Sequence, residues 1–312
     1  MDETPSRAAD VRIALFFHSV GRGVLTRFGL VLLWLLHFFP LGALAALGRG
    51  LGLVLYAFGR ERRHVALTNL RLCFPHWTED ERRKIARLHV QAAARSFIER
   101  GILWWSSKAR IQRLVRVEDR EHVEALRGKP MIWFAPHFVG LDMGGTRLIT
   151  EWAGCSMYSR QKDPLVDRVL LRGRTRFVAP RLFSRQDGIR PLVRAIRDGL
   201  PFYYLPDQDL GARDSVFVPF FGVPTATITG LSRVARLAGA AVVPVVTRQL
   251  PGGEGYLTTF YPPWRDFPGG DDERDARRMN EFIEQRVLEM PEQYWWLHKR
   301  FKTRPPGEPR PY

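Results

Sequence analysis

The chain has 312 residues, 45% of them hydrophobic, which is enough for one large domain or two small ones and excludes a disordered protein. Its 48 Lys and Arg against 32 Asp and Glu give a net charge of +16, which favours nucleic acid, an anionic membrane surface or an acidic protein as partner. Two cysteines, Cys73 and Cys155, are too few for a disulfide framework or a metal cluster and fit a reducing compartment.

The N-terminal region is apolar. Residues 28–47 contain no charged side chain, and about 20 such residues can span a bilayer as a helix, which Pro40 would kink. Arginines lie on both sides, so positive charge does not define an orientation (Arg22, Arg27, Arg49 and Arg60). A second apolar stretch, residues 50–59, is too short to span. We predict that residues 1–60 form a membrane anchor with its flanks; a buried core helix is the alternative.

The remaining chain, residues 61–312, is predicted to form one catalytic domain. A long helix is expected from Thr78, a suitable N-cap, to about residue 105. Short apolar runs predict strands at residues 131–136, 201–206, 241–246 and 256–261, and amphipathic patterns predict helices at 187–199, 229–240 and 273–290. This alternation predicts an α/β fold with a mixed sheet flanked by helices and an N-terminal membrane-anchoring helix.

A candidate catalytic pair follows the first of these strands. In the stretch WFAPHFVGLDMGG, His137 and Asp142 lie where reacting groups of α/β proteins tend to lie, at a strand end. On one helix the two would be about 140° apart, so they meet only if His137 lies in a turn and Asp142 begins the next helix. The carboxylate would then hold one ring nitrogen and leave the other as a general base. A histidine that merely satisfies a turn is an equal alternative.

Other catalytic chemistries have little support in the sequence. The remaining histidines have no zinc-ligand spacing, and there is no Gly-x-Ser-x-Gly elbow, P-loop or dinucleotide fingerprint. We therefore expect neither a metal nor another cofactor.

Five stretches together resemble the bacterial lipid A late acyltransferases, the lauroyl and myristoyl transferases of the lysophospholipid acyltransferase superfamily. They are the apolar segment followed by NLRLCFP, the His-x4-Asp of His137 and Asp142, PDQDLGARDSVFVPFFG, TATITGLSRVARLAGAAVVPV, and PEQYWWLHKRFKTRPPGE. His-x4-Asp is short and weak alone, whereas the third and fifth stretches are specific. The resemblance covers nearly the whole chain.

The resemblance implies an enzyme on the cytoplasmic side of the bacterial inner membrane, attached by a single span or peripherally. It would move a fatty acyl chain from acyl carrier protein, or from acyl-CoA, to a hydroxyl of a 3-hydroxyacyl chain on a phosphorylated lipid A precursor. His137 would be the base and Asp142, which is Glu in many relatives, would orient it. The implied partners are acyl carrier protein, the lipid A precursor and anionic inner-membrane lipids, and not nucleic acid.

Four further residues are candidate substrate-binding groups. Arg174 matches a recurring Gly-Arg of the family and suits a phosphate or an oxyanion, although a plain surface arginine is a strong alternative. Asp207 and Gln208 follow an apolar strand and should reach the same sheet edge as His137, and Asp207 is expected either to position its loop or to contact the substrate. Asp209 could instead cap a turn. Arg160 lies one place later than the arginine of a Tyr-Arg-Pro found in many relatives, which leaves its role open.

The basic tail, residues 298–304, offers a further surface. Beside a membrane anchor, Lys299, Arg300, Lys302 and Arg304 are expected to contact anionic headgroups, or to dock acyl carrier protein, which is acidic. Two other functions stay open: acylation of a different membrane lipid, such as a lysophospholipid or glycolipid, and a basic membrane-tethered binding protein without activity.

Overall fold

Seven strands form one mixed sheet in a computed structural model that describes residues 23–178 and 180–312. The strands of the described chain are β1 (Val115–Glu118), β2 (Met131–Phe134), β3 (Cys155–Tyr158), β4 (Arg181–Ser184), β5 (Phe202–Tyr204), β6 (Ser215–Phe220), β7 (Val223–Ile228), β8 (Ala241–Gln249) and β9 (Tyr256–Phe260). The sheet order is β1-β9-β8-β2-β5-β3-β4, antiparallel only between β8 and β9, and β6 and β7 form a separate hairpin. The predicted mixed α/β sheet and its four predicted strands are confirmed.

Helices form the N-terminal part and cover the sheet. They are α1 (Gly23–Leu36), α2 (Leu41–Phe58), α3 (Arg60–Cys73), α4 (Glu79–Ile98), α5 (Arg100–Trp105), α6 (Lys108–Leu114), α7 (Glu121–Glu124), α8 (Leu141–Leu148), α9 (Pro164–Thr175), α10 (Arg190–Arg197), α11 (Gly230–Ala238) and α12 (Asp272–Glu289). Thr78 caps α4 as predicted, because its hydroxyl accepts from the Glu81 N–H while the Glu81 carboxylate accepts from the Thr78 N–H.

The expected single helix over residues 28–47 is wrong. Pro40 has an extended backbone (ψ 145°) and separates α1 from α2, because proline lacks the N–H that would continue the first helix. The second apolar stretch therefore belongs to α2, which is long and apolar enough to cross a membrane by length and composition alone. Residues 1–22, which include Arg22 of the predicted flank, lie outside the described chain.

Two glycines let α2 lie directly on α4. A Cβ on Gly48 would come within 2.5 Å of the Arg95 Cα, and one on Gly52 within 2.4 Å of the Gln91 Cα. One face of α2 is thus covered by the body of the protein. The other face exposes large apolar side chains, and α1 does the same (Val24, Leu25, Phe28, Val31, Leu47, Leu51, Leu55 and Phe58 among them).

The sheet opens at one point of its carboxyl edge. β5 pairs with β2 along its full length, but it pairs with β3 only at Cys155–Phe202 and Ser156–Tyr203. β3 continues its pairing with β4 as far as Tyr158. β3 and β5 therefore separate toward their carboxyl ends, next to the end of β2, which His137 follows. In open α/β sheets this is the type of place where ligands bind.

Candidate active site

The turn after β2 holds His137 by its backbone on both sides. Its N–H donates to the Asp207 Oδ2 at 2.9 Å, and its carbonyl accepts from the Trp295 N–H at 2.9 Å. Two residues further, the Val139 N–H donates to the Gln293 carbonyl at 2.9 Å. The loop after β5 and the C-terminal segment thus fix the position of the imidazole from two directions.

The buried carboxylate of Asp207 orients the ring. Its Oδ1 lies 2.6 Å from the His137 Nδ1, and its side chain is 1% exposed. Burial raises the pKa of Asp207, but the charge of His137, the two hydrogen bonds and the nearby Arg300 outweigh it and lower that pKa below its ordinary value. An ionised carboxylate can only accept hydrogen bonds, so we assign the ring proton to Nδ1 and leave Nε2 able to accept a proton.

The expected pairing of Asp142 with His137 needs correction, because Asp207 occupies that place. Asp142 is the second residue of α8, and its carboxylate lies 3.6 Å from the Arg174 Nη2 and 4.0 Å from the Arg100 Nη2. The position of α8 determines where the Asp142 carboxylate lies. A Cβ on Gly140 would come within 2.4 Å of the Thr247 carbonyl oxygen, so the helix starts pressed against β8. Asp142 remains a candidate catalytic residue on the cavity wall.

His137 and Asp142 line the same cavity. Its volume of about 560 Å³ is typical of small-molecule sites. His137, Asp142, Arg174 and Gln208 line its polar part. Its apolar part is lined by residues of β3, β4, β5, α10 and α11 (Cys155, Met157, Leu182, Leu192, Phe202 and Val234). Burial raises the pKa of the Cys155 thiol to about 12, so this cysteine stays protonated and is no nucleophile.

Of the candidate substrate-binding residues, Arg174 and Gln208 line the cavity, Asp207 contacts His137 and not the cavity, and Arg160 lies outside it. Its side chain is 88% exposed and lies 4.0 Å from Asp167, while its neighbours Ser159 and Gln161 line the cavity. Asp209 does cap a turn, as the alternative foresaw. It accepts from the Gly211 N–H at 2.9 Å and from the Thr303 N–H at 2.8 Å.

The basic tail is largely internal, which corrects the expected headgroup contact for two of its cations. Arg300 is 2% exposed and donates to the Ala226 carbonyl at 2.9 Å, and Arg304 donates to the Pro224 carbonyl at 2.6 Å. Lys302 is exposed. The His298 Nε2 accepts from the Asp209 N–H at 3.0 Å, and burial, followed by Arg300 and Lys302, lowers the pKa of His298 to about 4.

Sequence reasoning missed that this tail supports the site. Gln293, Trp295 and His298 reach the loops of His137 and Asp207 through backbone and side-chain hydrogen bonds. The aromatic run before the basic residues was the available signal, since Trp296 is fully buried and Tyr294 is buried as well. Among residues 23–178 and 180–312, no three His, Cys, Asp or Glu side chains are placed to hold a metal ion.

Comparison with known proteins places the chain in a family. The model of the bacterial lipid A biosynthesis acyltransferases matches residues 18–303. The chain is 36% identical to the lipid A biosynthesis lauroyltransferase of Escherichia coli (strain K12), over 92% of this chain and 94% of that protein. It is also 36% identical to the lipid A biosynthesis myristoyltransferase of the same organism, over 86% and 83% of the two chains. A lipid A biosynthesis acyltransferase of Haemophilus influenzae is 36% identical over 90% and 88%. The chain therefore belongs to the bacterial lipid A biosynthesis acyltransferase family, and it is an acyltransferase.

Proposed function

We propose that this enzyme transfers a fatty acyl chain from acyl carrier protein to the hydroxyl of a 3-hydroxyacyl chain on a lipid A precursor, in lipopolysaccharide biosynthesis. One observation carries the proposal. His137, with Nδ1 held by a buried carboxylate, lies on the wall of a cavity whose polar part contains Arg174 and whose remaining wall is mostly apolar. Such a cavity suits an ester-forming reaction between a long alkyl chain and a phosphorylated lipid.

In this mechanism the His137 Nε2 takes the proton of the acceptor hydroxyl as its oxygen attacks the thioester carbonyl carbon. The carbon–oxygen bond forms, the carbon–sulfur bond breaks, and the leaving sulfur receives the proton from the imidazolium. Asp207 stabilises the positive ring between these two steps. A positioned base of this kind is worth about 10²–10⁴ in rate.

The polar groups on the wall are proposed to bind substrate. The Arg174 guanidinium suits a lipid A phosphate or the oxyanion of the tetrahedral intermediate, and Asp142 orients it through their 3.6 Å ion pair. Gln208 is proposed to contact the substrate beside His137. Arg160, which lies off the wall, is proposed to meet substrate only outside the cavity.

We further propose that residues 1–60 anchor the enzyme to the cytoplasmic face of the bacterial inner membrane and that residues 61–312 form the catalytic domain. The support is the apolar surface that α1 and α2 expose. Since α4 covers one face of α2, the anchor is attached to the catalytic domain by packing as well as by the chain. Attachment by a single span or peripherally is compatible with this arrangement.

The test is transfer by the purified full-length protein, with a radiolabelled acyl carrier protein thioester as donor and a tetra-acylated lipid A precursor as acceptor. Product mass spectrometry would show one added acyl chain. His137→Ala is expected to abolish transfer with its folding retained, and His64→Ala, at an exposed position on α3, is expected to transfer like the wild type. Transfer only to lysophospholipids or glycolipids would show that the acceptor is one of these lipids and not a lipid A precursor. Full activity in His137→Ala would show that His137 has no part in the mechanism.

A further inference from the structure

Half of the net charge lies in one short part of the chain. Residues 160–197 contain eleven Lys and Arg and three Asp, which leaves +8 of the total of +16. This segment runs from the loop after β3, through α9 and β4, to the end of α10. Such a local excess is a property that selects an anionic partner.

The three acidic side chains of the segment are committed to local structure. Asp163 caps α9 by accepting from the Leu165 N–H at 2.8 Å. Asp167 accepts from the Gln161 N–H at 2.7 Å, and Asp187 from the Ser184 N–H at 2.7 Å. Asp163 and Asp167 also accept from the hydroxyls of Thr26 and Tyr158, and among the described residues Arg160 pairs with Asp167 at the 4.0 Å limit of an ion pair.

Six basic side chains of the segment form what we name the cationic rim. All six belong to exposed residues, and none makes an ion pair with a carboxylate of the described chain (Lys162, Arg168, Arg172, Arg181, Arg190 and Arg194). Arg168 and Arg172 lie one turn apart and so share a face of α9. The Arg181 guanidinium also lies over the Phe183 ring, 5.6 Å from its centroid. Without carboxylate partners, all six charges can attract an oppositely charged partner over several ångströms of water.

Part of the cationic rim, namely Lys162, Arg181 and Arg190, lies beside the cavity. Gln161, Pro180, Leu182 and Ile189 line the cavity, and each is the chain neighbour of a rim residue. Ile189 is 46% exposed, so it belongs both to the cavity wall and to the outer surface. A partner held by the rim would therefore lie beside the cavity whose wall includes His137.

We propose that the cationic rim docks the acidic carrier protein that delivers the acyl group as a pantetheine thioester. This inference rests on the proposed function and names the docking surface of its donor. A protein suits the rim better than a membrane does, because between residues 160 and 197 only Val178 and Ile189 are exposed large apolar residues in the described chain. The apolar surface that suits lipid lies on α1 and α2 instead.

The experiment compares two donors with the same acyl chain, the carrier protein thioester and an acyl-pantetheine thioester, which has no acidic protein surface. The rim variant replaces Lys162, Arg168, Arg172 and Arg190 by Glu in the full-length enzyme. The control variant carries the same change of charge at Lys84, Arg87, Lys108 and Arg113, which are exposed and do not line the cavity. The KM for each donor and for the lipid acceptor is measured in detergent at two salt concentrations.

The rim variant is expected to raise the KM for the carrier protein donor by about 10–100-fold, because reversed charges slow encounter and oppose docking. Its kcat/KM with acyl-pantetheine should stay at the wild-type value, and the wild-type KM for the carrier protein should rise with salt. The control variant should behave like the wild type with both donors.

Three results would overturn the docking proposal while leaving the enzyme an acyltransferase. They are an equal loss with both donors, an equal rise in KM in the control variant, and a rise confined to the KM for the phosphorylated acceptor. The proposal would also fail if the rim variant no longer bound vesicles of anionic phospholipid while its KM for the carrier protein donor stayed unchanged. That result would assign the rim to the membrane. If the wild type transfers from neither donor, the proposed function itself fails.

Discussion

Two aspartates come from two loops beside the cavity, and their surroundings differ: Asp142 lines the cavity, whereas Asp207 binds His137 and does not line it. Asp207 comes from the loop after β5, is 1% exposed, and gives both carboxylate oxygens to His137. Asp142 comes from the start of α8, is 42% exposed, and lies opposite Arg100 and Arg174 at 4.0 and 3.6 Å. One carboxylate is part of the protein interior and the other belongs to the substrate cavity.

The difference teaches which carboxylate can orient the base. A buried charge with a single partner has one arrangement, because any other leaves it unpaired in a medium of low polarity. An exposed carboxylate exchanges partners with water and substrate at little cost. The loop of Asp207 is therefore suited to hold the His137 tautomer, and the loop of Asp142 is suited to respond to a bound phosphate or thioester.

Of the substitutions proposed below, removal of the Asp207 charge should lower kcat the most. Asp207→Asn keeps the shape of the side chain but no longer stabilises a positive imidazole, and its amide can favour the wrong tautomer of His137. We expect kcat to fall about 10²–10⁴-fold with a smaller change in KM. Asp214→Asn, at an exposed position of the same loop, is the matched control. Near-normal kcat in Asp207→Asn would show that this carboxylate does not orient the base.

Substitution of Asp142 should lower the activity less than substitution of Asp207 does. Asp142→Asn loses the ion pair that orients Arg174, and we expect kcat/KM to fall roughly 10-fold, which corresponds to about 1.4 kcal/mol. Asp142→Glu should restore most of the activity, because a carboxylate on a longer side chain can still reach the guanidinium. Steady-state kinetics of both variants provides the measurement. A loss in Asp142→Asn as large as that in Asp207→Asn would mean that both carboxylates serve the proton transfer.

The sequence predicts the sheet well because the relevant signal is local. The apolar runs that became β2, β5, β8 and β9 are each bounded by proline, glycine or polar residues. It predicts the two N-terminal helices less well, because Pro40 was expected to kink one helix and instead separates two. Pattern alone also did not distinguish β3 and β4.

The pairing of His137 with Asp207 was not predictable from spacing, since the two residues are 70 positions apart. What could be predicted was the shared edge of the sheet: each residue lies three positions after the end of a strand, and parallel strands bring their carboxyl ends together. The choice between Asp142 and Asp207 depends on burial, which in turn depends on how closely α8 packs on β8. No local pattern records that distance.

Acid should weaken the loop of Asp207 through His298, whose Nε2 accepts from the Asp209 N–H. The folded pKa of His298 is about 4, below its ordinary value of 6.5, so the unfolded chain takes up the proton first as the pH falls. The stability contributed by a neutral His298 is complete above pH 6.5 and is lost as the pH falls toward 4. Allowing for partial solvent access, we expect a loss of about 2 kcal/mol in the free energy of unfolding.

Denaturant unfolding from pH 7 to pH 4 measures this loss. In His298→Gln the decline should be shallower by that amount, whereas His64→Gln, an exposed control, should follow the wild type. Burial also lowers the pKa of His89 to about 4, but that residue is present in every variant, so the difference isolates His298. Parallel curves for the wild type and His298→Gln would contradict the assignment.

The smallest effect concerns the ion pair of Asp142 and Arg174, measured as stability rather than activity. In a double-mutant cycle of Asp142→Asn and Arg174→Gln, the coupling in the free energy of unfolding should be about 0.2–1 kcal/mol, because both side chains are about 40% exposed. Added salt should reduce it further, since water and ions screen exposed charges. Such a small coupling would mean that the ion pair positions groups in the cavity and contributes little to the stability of the fold. A coupling well above 2 kcal/mol that resists salt would instead make Asp142 a structural partner like Asp207, and the contrast between the two loops would disappear.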